Sequence, residues 1–145
     1  MNTNVLGTAF RLFVARESVG HDSDEFLCIH HIGLGGGTRT NLVIDTGVCD
    51  DGDVETSVIK RHRLGRFVHL FSKNIHYGLG ECTWDGNSYT NVIVSTTWDT
   101  MGKIQINSLG LRFLARHLVT FDFPNETMYL KRTSIGPLME VKDEP

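Results

Sequence analysis

Asp45-Thr46-Gly47 closes the apolar run Leu42-Val43-Ile44, and it is the place in this chain where residue types and spacing could do chemistry. The apolar run reads as a buried strand that delivers one carboxylate into a tight turn. Asp45 can act on a water molecule, Thr46 brings a hydroxyl able to lock the turn, and Gly47 lets backbone come close where a side chain would block it. Splitting an amide this way takes two carboxylates sharing a proton, since one must accept a proton while the other holds one. The chain carries one such loop. Asp and Gly also end strands in ordinary turns, so the other residues must be weighed with it.

Competing chemistries find less in the sequence. Asp50, Asp51, Asp53 and Glu55 follow the loop, but an EF-hand needs an Asp at the place that Gly47 occupies relative to Gly52. A solvated acidic loop is the simpler expectation, with a looser metal site left open. Cys28, His30 and His31 lack a downstream ligand pair at zinc-site spacing. The run Gly33-Leu34-Gly35-Gly36-Gly37 misses the dinucleotide fingerprint, whose third glycine would fall on Thr38. No Gly-x-Ser-x-Gly elbow occurs, and Cys49 has no marked His partner. Asp99-Thr100-Met101-Gly102 imitates the first loop but lacks the apolar approach strand, so it reads as a surface turn; Asp122 reads as structural.

A chain of 145 residues suits one domain with its own core, and a net charge of −3 gives no electrostatic case for nucleic acid or an anionic membrane. The basic run Lys60, Arg61, His62, Arg63 and Arg66 reads as a solvated face. No apolar stretch reaches the length of a membrane span. The N-terminus lacks a basic region followed by an apolar one, and Cys28, Cys49 and Cys82 are odd in number. Both point to a reducing, cytoplasmic setting without a disulfide framework.

The elements that must position Asp45 are mostly strands. Phe10, Leu12 and Val14 alternate as in a half-buried strand. Phe26 to Ile32 and Thr38 to Ile44 form a hairpin across the glycine run. Ser57-Val58-Ile59 reads as a short strand or turn, Phe67 to Phe71 as a strand, and Tyr89 to Val94 as a β-branched strand. Tyr77-Gly78-Leu79-Gly80 and Asp85-Gly86 are turn signals on either side of Glu81 to Trp84. Leu111, Leu114, Ala115 and Leu118 have helical spacing, the one clear helix. Val119 to Phe123 and Thr127 to Lys131 make a closing hairpin, and a polar tail follows from Ile135.

The C-terminal third carries a second pattern. Asn107-Ser108-Leu109-Gly110-Leu111-Arg112-Phe113-Leu114 precedes Val119-Thr120-Phe121-Asp122-Phe123-Pro124-Asn125 and Thr127-Met128-Tyr129-Leu130. With the Asp45 loop upstream, this resembles the retropepsin-like aspartic proteases of bacteria, over roughly Phe26 to Lys131. The resemblance implies an all-β, closed barrel-like domain over 25–133, preceded by an N-terminal strand and connection over 1–24 and followed by a polar tail over 134–145. It makes Asp45 catalytic, with Thr46, Gly47, Leu109 and Gly110 supporting the loop. Leu109 would pack beneath it, and Gly110 would let two backbones approach. Ile75 to Tyr89 becomes a candidate flap, with Tyr77, Gly78 and Gly80; taken alone, Tyr77 and Trp84 are ordinary strand aromatics. No metal or organic cofactor is needed. The partners implied are an extended peptide substrate and a second carboxylate, from a second copy of the chain or from a preceding lobe.

Three departures from the family pattern stand out. Val48 is bulkier than the usual residue after the loop glycine, the run Asp50 to Glu55 is acidic, and Ser108 takes a place that is usually apolar. They support an alternative, the same fold kept for peptide binding or dimerisation without catalysis.

Overall fold

The computed structural model describes residues 3–19, 22–37, 39–68, 75–96 and 107–133. It is mostly β. A short helix α1 (Thr3–Leu6) leads into β1 (Thr8–Val19), β2 (Asp22–Ile32) and β3 (Arg39–Asp45). Then come β4 (Gly52–Val54), helix α2 (Thr56–His62), β5 (Arg63–Val68) and β6 (Ile75–Leu79). A small hairpin, β7 (Cys82–Trp84) and β8 (Asn87–Tyr89), precedes β9 (Val92–Thr96). The chain closes with β10 (Asn107–Gly110), α3 (Leu111–Leu114), β11 (His117–Asp122), a 3-10 turn (Phe123–Asn125) and β12 (Thr127–Arg132).

Six strands form a curled, half-barrel sheet in the order β10-β3-β2-β1-β12-β11. Four more pair as β4-β9-β6-β5, and β7 with β8. β1 divides its length: Thr8 to Arg11 pair with β12, whereas Leu12 to Val19 pair with β2. The N-terminal strand and the segment from 25 onward therefore share one sheet. The expected β2–β3 and β11–β12 hairpins form, the second in register from His117↔Arg132 to Asp122↔Thr127. Asp85 and Gly86 turn the β7–β8 hairpin with φ of 47 and 73, both in the left-handed region that such two-residue turns require.

One apolar core joins these layers. Leu12, Ile29, Leu42, Val54, Val92, Val94, Leu109 and Met128 enter it from seven different strands. Aromatic rings tie the small hairpin to α3: Trp84 and Tyr89 pack on Phe113 at centroid distances of 5.2 and 5.1 Å. The Trp84 indole N–H donates to the Ile32 carbonyl at 2.8 Å, so a buried polar atom is satisfied.

Two local expectations need correction. The helix read from Leu111 to Leu118 is a single turn ending at Leu114, and Leu111 and Leu118 are exposed. Tertiary contacts override the helical period there. Arg116 and His117 turn inward to polar partners, and β11 starts at once to pair with β12. Ser57-Val58-Ile59 belongs to α2, not to a strand, so the fold has helix outside the C-terminal third as well. Val58 and Ile59 face the core from one side of that helix, and Lys60, Arg61 and His62 complement its C-terminal dipole. That basic cluster was the available signal; the β-branched residues masked it. Residues 69–71, Asp99 to Gly102 and the polar tail lie outside the described residues.

Phe113 is fully buried against three aromatic neighbours. Phe113→Ala should cost about 3–5 kcal/mol, from lost transfer energy plus the cavity left behind. Urea unfolding followed by tryptophan fluorescence measures this; a loss below about 1 kcal/mol means the aromatic cluster is not the hinge between α3 and the small hairpin.

Candidate functional site

Asp45 is the last residue of β3, and β3 is interior to the six-stranded sheet. On one side β2 pairs with it antiparallel; on the other β10 pairs parallel, with Leu109↔Ile44 and Gly110↔Asp45 in register. The loop and the second pattern of the sequence thus lie side by side. Leu109 is fully buried in the core. Gly110 is hemmed in by backbone: a Cβ there would stand 2.2 Å from the Asp50 carbonyl oxygen. Its N–H donates to the Asp51 carbonyl at 2.9 Å, and the Leu111 N–H to the Val48 carbonyl at 2.8 Å. The post-loop segment is therefore laced to the start of α3 by main-chain bonds.

The turn at Asp45 is fastened by Asp45 itself. Its Oδ1 accepts from the Gly47 N–H at 2.8 Å, and its carbonyl from the Val48 N–H at 3.3 Å. Thr46 and Gly47 are exposed, and the Asp45 side chain is half-buried. The carboxylate is thus aimed and remains open to solvent on one side. A cleft of about 350 Å³ elsewhere, lined by Phe10, Arg11, Phe13, Ile29 and His30, does not include it.

The acidic run does not behave as a solvated loop. Asp51 has no exposed surface. Its carboxylate accepts from Arg116 Nε at 2.9 Å and Nη2 at 3.2 Å, Arg112 Nε at 3.0 Å, and the Ile93 N–H at 2.8 Å. The two guanidinium groups go on to donate to the carbonyls of Thr90 and Asn91, each at 3.0 Å. Charge pairing and full hydrogen bonding together make so buried a carboxylate tolerable. Sequence reasoning missed this unit. The signal was a pair of arginines at helical spacing after Gly110, facing four acidic residues with few other partners.

Asp50 and Asp53 point to the other side. Asp50 Oδ2 accepts from His76 Nδ1 and, at 2.9 Å, from the Ser95 hydroxyl. Asp53 accepts from the Ser108 hydroxyl at 2.9 Å, and Ser108 Oγ accepts in turn from the Asp53 N–H at 2.9 Å. The polar residue in the usually apolar place therefore has a partner. Burial pushes the Asp53 carboxyl above its ordinary range; the Ser108 bond opposes this, and the charges of Asp50 and Asp45 add to it. Asp53 hence lies within electrostatic reach of both Asp50 and Asp45.

The remaining expected residues fall elsewhere. Tyr77 and Gly78 lie on β6, which is hydrogen-bonded to β5 on one side and β9 on the other. Gly80 follows in a bend, its N–H donating to the His62 carbonyl at 3.1 Å. The free hairpin expected over Ile75 to Tyr89 is not seen: β6 is an interior strand, and Trp84 and Tyr89 anchor the next hairpin in the core. Cys28 and His30 are neighbours on β2 with opposite exposure, while Cys49 is exposed. Burial lifts the Cys82 thiol to about 11, which keeps it protonated and inert.

His117 is buried at the start of β11. Only an N–H can serve the Phe113 carbonyl, 2.9 Å from Nδ1, so Nε2 accepts from the Tyr89 hydroxyl at 2.9 Å. Burial holds its titration below the ordinary histidine range, with Arg132 and Arg116 adding to the effect and the Phe113 bond opposing it.

No family model matches this chain, and no curated protein or solved structure shows significant similarity to it.

Two measurements follow. Asp51→Asn leaves two inward guanidinium groups without their counter-charge and should cost about 3–5 kcal/mol, whereas Asp45→Asn should stay within about 0.5 kcal/mol. Denaturant midpoints of the two variants decide it, and equal losses would be fatal to the division of labour drawn here. For His117 the unfolded chain binds the proton more readily than the folded one. Its contribution is present above about pH 6.5 and is lost as pH falls below that toward the lowered folded value. Unfolding midpoints between pH 5 and 8 should therefore drop on the acid side, and His117→Asn should flatten that slope.

Proposed function

We propose that this chain is one half of an aspartic endopeptidase of retropepsin-like architecture, with Asp45 its catalytic carboxylate. The observation that carries the proposal is the parallel register Gly110↔Asp45, which seats a half-exposed carboxylate at the end of a buried strand and braces its turn from the neighbouring strand. In the reaction, one Asp45 takes a proton from water as the water oxygen attacks the peptide carbonyl. The Asp45 of a second copy gives its proton to the carbonyl oxygen. Collapse of the tetrahedral centre then breaks the C–N bond, and the amine leaves with a proton. The substrate is an extended peptide, held partly by main-chain hydrogen bonds.

The second copy docks at β11, an edge of the six-stranded sheet. Leu118 and Phe121 are exposed there and Phe123 in the turn that follows, and the two phenylalanine rings stack at 5.5 Å. Exposed apolar edge strands favour pairing with another chain, and two-fold pairing brings like residues together. β11 and β10 are the two opposite edges of this sheet, and α3 is the connection between them in the chain. A preceding lobe of the same polypeptide, packed on the same edge, is an equivalent source of the second carboxylate.

The charge of Asp53 near Asp45 favours one other reading, a peptide-binding or dimerisation module that has lost catalysis. Peptide cleavage by the chain across acid to neutral pH separates the two. Asp45→Asn should abolish hydrolysis with the fold unchanged, and Phe121→Lys should lower activity together with the dimer fraction in sedimentation. Full activity in Asp45→Asn refutes the assignment. Peptide binding without cleavage by the wild-type chain selects the module instead.

A further inference from the structure

The catalytic loop proposed above has more carboxylates around it than its chemistry uses. Asp50 and Asp53 both lie within electrostatic reach of one another, and Asp45 reaches Asp53. The charges of Asp50 and Asp45 add to the rise of the Asp53 carboxyl, and a working pair needs one ionised member. Something has to offset the excess.

The strand registers supply it. His76 on β6 stands directly opposite Ser95 on β9, and Ser95 is in register with Asp53 on β4. Paired residues share one face of a sheet, so His76, Ser95 and Asp53 form a row across three strands. Asp50 reaches onto this row from the catalytic loop, accepting from both His76 Nδ1 and Ser95 Oγ. Ser108 of β10, two residues before the glycine that pairs with Asp45, closes the row on the Asp53 carboxylate.

We propose that His76 is a positioning residue for the Asp45 centre: it fixes Asp50 against the β6–β9 pair and supplies the positive charge that lets three carboxylates crowd one loop. The role rests on the peptidase reading for its consequence and on geometry for its existence. Among the described residues, Asp50 of the loop bonds the ring, Asp53 of β4 lies within its electrostatic reach, and Ser95 of β9 is the uncharged neighbour. The charge of His76 opposes the rise of the Asp53 carboxyl that burial and the other carboxylates cause.

The test is the titration of Asp53 by carboxyl ¹³C NMR, with the pH profile of peptide cleavage recorded beside it. In His76→Gln the Asp53 midpoint should move upward, and the whole activity profile should move to higher pH with KM little changed. His76→Lys keeps the charge and should bring both back. Asp50→Asn removes the opposite charge and should move Asp53 downward; it also serves if His76→Gln fails to fold. An Asp53 midpoint that stays put in a folded His76→Gln overturns the proposal, as does one that stays put in Asp50→Asn. If Asp53 moves as expected while the wild-type chain cleaves no peptide, the charge coupling stands and the peptidase reading falls.

Discussion

Everything near the candidate site depends on one buried carboxylate. Asp51 has no contact with solvent, and two guanidinium groups and a backbone N–H close around it. The desolvation cost of such a group is several kcal/mol if a partner is missing, so its geometry is enforced rather than merely permitted. Arg112 and Arg116 come from α3 and the turn after it, while Asn91 and Ile93 come from the start of β9. Asp51 thereby joins the post-loop segment, the four-stranded sheet and the C-terminal third at a single point.

That junction leaves Asp45 free for other work. The loop has two faces, and neighbouring aspartates divide them. Asp51 turns in and holds structure; Asp50 and Asp53 turn to a polar row of serines and a histidine. Asp45 accepts a bond within its own turn and keeps an open side. Four chemically identical side chains thus take three roles through environment alone. Val48, the bulky residue after the loop glycine, also has a place: its carbonyl accepts from the first amide of α3.

How much of this was legible in the sequence follows from the range of each signal. The β2–β3 and β11–β12 hairpins were readable because alternation and turn residues are local patterns. The pairing of β3 with β10 could be reached only through the family resemblance, since nothing local in Leu109-Gly110 names Asp45 as its neighbour. The helix after Gly110 was overextended because Leu118 keeps a helical spacing that the inward turn of Arg116 and His117 interrupts. The acidic run is misjudged for the same reason: whether a charge faces water depends on arginines sixty-one and sixty-five positions away. Paired rather than solvated carboxylates leave no trace in composition.

That separation has a consequence for how the chain comes into being. Synthesis runs from the N-terminus, and domains tend to fold as units once their segments have emerged. Asp45 and Asp51 appear early, but β10, Arg112 and Arg116 appear only in the last third. Until then the loop has neither its parallel neighbour nor its counter-charges, and Asp51 must remain hydrated. A nascent or truncated chain is in this way kept from assembling the carboxylate centre before the strand that completes it has been made.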